Sequence, residues 1–235
     1  MTFKALHALV LAITIFEATC ATLSLTGTIR DFKIEHPDFE YVIAVDYGIV
    51  QDNIGADRKP VYKSSTRTQT TNGRTYFDQW YRDYPDVNKN IDHTIILEDT
   101  DGDGVYTYNN NSFFPIDNKL WGNEGNSHNY HFTYEIHSEF TYRKGQVFSF
   151  YGDDDVWVFI NDKLVIDLGG VHSKLYKSVD LDSLDLEPGM TYTLDFFFAE
   201  RHTTESNFQI ETSCKLKQPD IPQPPKCFRV PQYID

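Results

Sequence analysis

The stretch HNYHFTYEIHSEFTY, residues 128 to 142, alternates with a period of two. Tyr130, Phe132, Tyr134, Ile136 and Phe140 fall on one face, and His131, Thr133, Glu135, His137 and Glu139 on the other. Successive side chains of a strand point to opposite faces, so this pattern predicts a half-buried strand with a polar, solvated side. QVFSFYG, TYTLDFFFAE and NFQIETS read as further strands. VWVFINDKLVIDL reads as a hairpin turning at Asn161-Asp162, residue types that tolerate the positive φ of a two-residue turn. The one plausible helix, TYFDQWYRDYP at residues 75–85, is short and stopped by Pro85. Several short amphipathic strands need a second layer to cover their apolar faces. The expectation is an all-β fold, an antiparallel β-sandwich with long loops and at most short helices.

The two ends of the chain differ from this body. MTFKALHALVLAITIFEATCATLS carries Lys4, an apolar run from Ala5 to Phe16, and small residues suited to cleavage near Cys20 and Ala21. Residues 1–21 therefore read as a secretory signal peptide, too short in its apolar run to be a membrane span. Residues 22–213 are the expected β domain. Residues 214–235 form a proline-rich tail with Pro219, Pro222, Pro224, Pro225 and Pro231. In an oxidising compartment Cys214 and Cys227 are expected to pair as a disulfide, the alternative being bonds to a further region or another chain. The Asn110-Asn111-Ser112 sequon marks Asn110 as a glycosylation acceptor. A formal net charge of −14 sets nucleic acid aside as a partner.

Within the body, Asp153, Asp154 and Asp155 lie between two strand-forming runs. One aspartate at a turn caps backbone N–H groups. Three in a row repel one another, and a hard cation such as Ca²⁺, which takes six to eight oxygen ligands, would relieve them; a solvated acidic turn is the alternative. Asp99, Asp101, Asp103 and Gly104 match the opening of a calcium loop, but the twelfth position is Asn110 and an acidic loop is the preferred reading. His131, Glu135, His137 and Glu139 offer donors for a transition metal or an ordinary solvated face. His172 after two glycines is similarly open. Trp121 and Trp157 are candidates for stacking on sugars, with Trp157 placed in the core by its apolar strand. No nucleophile elbow, phosphate loop or zinc-protease signature occurs, and the expectation is that the chain is not an enzyme. Asp154 and Glu200 are the one carboxylate pair considered for glycoside hydrolysis.

The segments GDDDVWVFINDKLVIDLGGVH and AERHTTESNFQIETS, preceded by TGTIRDFKIEHPDFE and FFPIDNKLWGNEGNSHNYHFTYEIHSEFTY, resemble the fibro-slime domain. This domain belongs to the PA-fourteen (protective-antigen-type) superfamily, and the resemblance is strongest to the prespore-cell-inducing factor family of social amoebae. It implies a β-sandwich that binds carbohydrate through Ca²⁺, with Asp153 and Asp154 as the ion clasp joined by a cis peptide. It further implies that the loop from Glu200 to Asn207 completes the site. Asn207 is then the metal ligand from that loop, with Glu200, His202 and Glu205 as ligand-binding candidates; a salt-bridge network of Glu200, His202 and Glu205 with Arg201 is the alternative. The function so implied is a secreted, calcium-dependent glycan- or glycoprotein-binding module in cell-surface recognition or adhesion. A developmental signalling factor acting through a cell-surface receptor, and a structural matrix component, are the other two readings.

Overall fold

The structure is a computed structural model, and it describes residues 20–219. The expected leader falls almost wholly outside these residues, as do Cys227 and every tail proline after Pro219. The strands are β1 (Ala21–Phe32), β2 (Ala44–Val45), β3 (Asn88–Asp99), β4 (Tyr106–Asn110), β5 (Phe132–Thr141) and β6 (Val147–Gly152), then β7 (Asp155–Ile160), β8 (Lys163–Leu168), β9 (Gly170–Val171), β10 (Leu175–Asp180), β11 (Thr191–Glu200) and β12 (Phe208–Thr212). Ten of them form one antiparallel sheet in the order β10-β6-β12-β4-β3-β1-β5-β11-β7-β8, while β2 and β9 pair separately. No helix among the described residues is long and apolar enough to cross a membrane.

The large sheet folds over on itself. Phe150 of β6 lies 5.6 Å from Phe196 of β11, and Phe208 of β12 lies 5.2 Å from Phe198 of β11, although these strands are not neighbours in the sheet. The edge strands β10 and β8 also meet. Strands distant in the sheet thus face each other across one aromatic core, which makes the fold a two-layered antiparallel β-sandwich, as the alternation predicted. The hairpin is as expected: Ile160 pairs with Lys163, and Asn161 and Asp162 take φ of 49° and 66°. The predicted helix contracts to α1, Arg74–Phe77, with turns beyond it.

A second core lies on the outside of the sandwich. Trp157, Phe159, Phe197 and Ala199 of β7 and β11 pack beneath Ile49, Val50, Tyr62, Phe77, Trp80 and Tyr81 from the long connection between β1 and β3. Every residue of β7 is consequently buried, with Val156, Val158 and Ile160 in the first core and Trp157 and Phe159 in the second. The same connection overturns one expectation. The polar face of β5 is covered, leaving Glu135 4% and His131 2% exposed, and Thr133 donates its hydroxyl to the Trp80 carbonyl. Alternation revealed two faces but not that a distant loop would roof the polar one.

At the other end of the chain the packed body continues past residue 213. Cys214 and Leu216 are core residues, and Lys217 exchanges backbone hydrogen bonds with Glu139. Burial pushes the Cys214 thiol up to about 11. Its proposed partner Cys227 lies outside the described residues.

Candidate metal and ligand site

β6 ends at Gly152 and β7 begins at Asp155, and these strands are not neighbours in the sheet. Asp153 and Asp154, joined by a cis peptide, therefore carry the chain between the two layers at one end of the sandwich. The end of β11 at Glu200, the start of β12 beside Asn207, and the β9–β10 connection at His172 converge there. Gly152 permits the close approach: a Cβ at this position would lie 2.1 Å from the Asn207 carbonyl oxygen.

The three aspartates turn to different partners. Asp155 is fully buried and forms a forked ion pair with Arg201, Nε to Oδ2 at 2.5 Å and Nη2 to Oδ1 at 3.0 Å, and also accepts the Gly170 N–H. Arg201, itself fully buried, donates further to the Asp38 and Thr70 carbonyls and to the Thr70 hydroxyl, and lies over the Trp80 ring. Its donors are spent on fixing Asp155 and the roofing loop, as a buried charge requires.

Asp153 and Asp154 receive dipoles rather than a cation. Asp153 accepts the Asn207 N–H and the Asn207 amide, both at 2.7 Å, while Asp154 accepts the N–H groups of His172 at 3.2 Å and Arg201 at 3.1 Å. Glu200 is 1% exposed, and its Oε2 has no hydrogen-bond partner. Burial raises the pKa of Asp153. Burial, reinforced by the neighbouring Asp155 charge, lifts Asp154 well above the ordinary carboxylate range. Glu200 is lifted likewise by burial and by the charges of Asp154 and Asp153. Three buried carboxylates without an ion-pair partner among the described residues, steadied only by hydrogen-bond dipoles, the already paired Arg201 and the charge of Lys174 on Asp153, need a proton or a cation.

The donor set fits a hard cation. Oxygens of Asp153, Asp154 and Glu200 are the ligands Ca²⁺ takes, and the unpartnered Oε2 of Glu200 is free to serve. Asn207 presents its amide nitrogen to Asp153 and, at 3.2 Å, to Glu205, so a ligand role requires a half-turn of the amide to bring Oδ1 inward. The other loop candidates separate. His202 pairs with Glu40 at 3.1 Å, facing the roofing loop, and Glu205 borders an open groove. A common salt-bridge network of Glu200, His202 and Glu205 with Arg201 is thus not formed, because Arg201 is committed to Asp155.

The remaining sequence candidates have other roles. The oxygens of Asp99, Asp101 and Asp103 converge within 4.8 Å, more tightly than those of the Asp153–Asp154–Glu200 group, yet each carboxylate caps its own turn, Asp99 accepting from Gly102 and Gly104. Glu135 takes ion pairs from Arg30 and Lys59; burial would raise its pKa, but these two cations hold it below the ordinary value. His131 pairs with Glu40 of the β1–β3 connection, His137 with Asp195 of the neighbouring β11, and Glu139 with Lys217 beyond β12, so the donors of this face are spent on separate partners rather than gathered on a metal. Both ring nitrogens of His172 lie against backbone carbonyls. Trp157 is core, its N–H donated to Asp167, and the Trp121 ring is occupied by the ammonium groups of Lys33 and Lys89. Asn110 sits half-buried at the end of β4, its Oδ1 accepting the Ser112 N–H.

The sequence model of the PA14 domain matches residues 94–229. Protein psiQ of Dictyostelium discoideum is 43% identical over 204 residues, which cover 81% of this chain and 20% of psiQ. Protein psiR of the same organism is 42% identical over 216 residues, covering 84% of this chain and 22% of psiR. The chain thus spans about a fifth of the length of these two curated relatives. Among solved structures, the PA14 domain of the MpAFP antifreeze protein aligns over 47% of this chain and 66% of its own, at 11% identity and a TM-score of 0.31.

Proposed function

Since the chain belongs to the PA14 domain family, we propose that it is a secreted, calcium-dependent module that binds an extracellular glycan or glycoprotein in cell-surface recognition or adhesion. The observation that carries this reading is the group of Asp153, Asp154 and Glu200, three carboxylates buried together at one end of the sandwich, with the Glu200 Oε2 left without a hydrogen-bond partner. These carboxylates, with the Asn207 amide turned inward, would hold Ca²⁺. When bound, the ion supplies open coordination positions for vicinal sugar hydroxyls. The chain's own contribution is rigidity. The backbone N–H groups of His172, Arg201 and Asn207 orient the two aspartates, and the Asp155–Arg201 pair anchors the strand that follows them. No proton transfer to a substrate is assigned, because Asp154 and Glu200 would be committed to holding the ion.

The test is binding of a glycan panel with and without EDTA, using the intact chain, together with the Asp153→Ala/Asp154→Ala double variant. EDTA-sensitive binding that disappears in a double variant still melting cooperatively is expected. Retained binding in that variant would sink the mechanism.

The similarity to the Dictyostelium psi proteins favours a second reading, a developmental signalling factor recognised by a cell-surface receptor. It predicts saturable binding to intact cells that free sugars do not compete away. Both readings place the chain outside the cell, where Asn110 would carry a glycan.

A further inference from the structure

An open groove of about 420 Å³ begins where the proposed ion site ends. Asn207, whose N–H and amide hold Asp153, is part of its lining, together with Phe114, His128, Lys174 and Glu205. The volume falls within the roughly 300–1,000 Å³ over which proteins enclose small ligands, and exceeds what one hexose ring fills.

One wall is a prebuilt aromatic surface. The Phe114 and His128 rings stack in parallel, 3.8 Å apart and 8° from coplanar, and the Tyr130 ring stands edge-on to both at 5.1 and 5.8 Å. His128 is held by Nδ1 against Asp117 Oδ2 at 2.7 Å, and the other Asp117 oxygen accepts the Asn129 N–H. The ledge is therefore fixed before any ligand arrives, which removes an ordering cost from binding.

The polar groups facing this ledge balance in charge. Lys174 is hydrogen-bonded to the neutral Asn111 amide at 3.3 Å, and the Glu205 carboxylate accepts from Asn207 at 3.2 Å. One cation and one anion offset each other in the lining, the Asp117 and Asp153 carboxylates behind His128 and Asn207 add negative charge, and a chain of net charge −14 repels polyanions at longer range, so an anionic ligand is disfavoured. Aromatic surface, amides and hydroxyls without net charge are the recognition chemistry of a neutral sugar.

We propose that this groove is a second saccharide subsite, and that the chain recognises a neutral oligosaccharide of at least two rings. One ring would engage the ion at Asp153 and Asp154, and the next would pack its C–H groups against the groove-facing side of the Phe114–His128 stack. The inference rests on the glycan-binding reading above.

The experiment is titration calorimetry of the full chain in Ca²⁺. The probes are methyl galactoside, methyl glucoside and methyl mannoside, then lactose, cellotriose, maltotriose and mannotriose, then sialyllactose. The expected result is that at least one neutral oligosaccharide binds more tightly than its monosaccharide and than sialyllactose. His128→Ala and Phe114→Ala should each lower that oligosaccharide-to-monosaccharide affinity ratio by about three- to tenfold. Should Phe114→Ala fail to fold, His128→Ala decides alone, since its side chain is 39% exposed. An unaltered ratio in His128→Ala, with all binding lost in Asp153→Asn, overturns the subsite while the ion site stands. Equal affinity for the monosaccharides and oligosaccharides, or preference for sialyllactose, also overturns it. Binding of no probe, or binding indifferent to Asp153→Asn, overturns the reading beneath it.

Discussion

Glu200→Gln tests the central electrostatic claim without any sugar. Glu200 is 1% exposed, has one unpartnered oxygen, and feels the charges of Asp154 and Asp153. Its folded-state pKa lies well above the ordinary value of 4.5. The folded protein therefore binds this proton more tightly than the unfolded chain does. The stabilisation is complete below the unfolded pKa and is lost as pH rises toward the folded one. Across that window each such group removes up to about 1.4 kcal/mol per pH unit. For a domain of this size, loss of one such proton should lower the melting temperature by up to about 3–6 °C per pH unit in EDTA as the pH rises above the ordinary carboxylate value. Glu200→Gln cannot lose the proton, so its slope in EDTA should be shallower by that amount. Saturating Ca²⁺ should flatten the wild-type slope as well, because the ion replaces the proton, and should raise the variant's melting temperature less than the wild type's. Calorimetry over pH 5–8, with EDTA and with Ca²⁺, measures all of this. A Glu200→Gln slope in EDTA equal to that of the wild type would refute the reasoning.

Two further expectations concern the scaffold behind the site. Arg201→Ala strands the fully buried Asp155 carboxylate and should cost about 3–5 kcal/mol in urea unfolding, with part recovered by Asp155→Asn in the same chain. Gly152→Ala places a methyl group 2.1 Å from the Asn207 carbonyl oxygen; it should cost about 1–3 kcal/mol and weaken the Ca²⁺-induced rise in melting temperature.

How far the site could be read in advance differs from residue to residue. The Asp153–Asp154 pair stood out because repeated like charge between apolar runs is a local anomaly. Glu200 was named as a candidate in its loop, but its orphaned oxygen depends on where β11 ends relative to the β6–β7 link. The counter-ion of Asp155 was missed. Arg201 reaches it from 46 positions away, and nothing in the spacing distinguishes it from other arginines. The Phe114–His128 ledge was equally hidden, since its rings meet only after the loop between β4 and β5 has closed.

The positions of β5 to β8, β11 and β12, the Asn161–Asp162 turn and the two-faced character of β5 were legible in the sequence alone, because side-chain periodicity and turn geometry act over a few residues, whereas β1, β3, β4 and β10 carry no such clear alternation and emerged only in the structure. Which faces became interior was decided only by tertiary structure. The connection between β1 and β3 covers the polar face of β5, supplies Lys59 to Glu135 and Arg58 to Asp195, and turns a face that reads as solvated into a buried ionic layer. The same holds for the three aspartates. Their crowding is written in the chain, but the fold alone gives one of them an arginine and leaves the other two, with Glu200, buried without an ion-pair partner among the described residues, because desolvation depends on what packs around a charge and not on its neighbours in sequence.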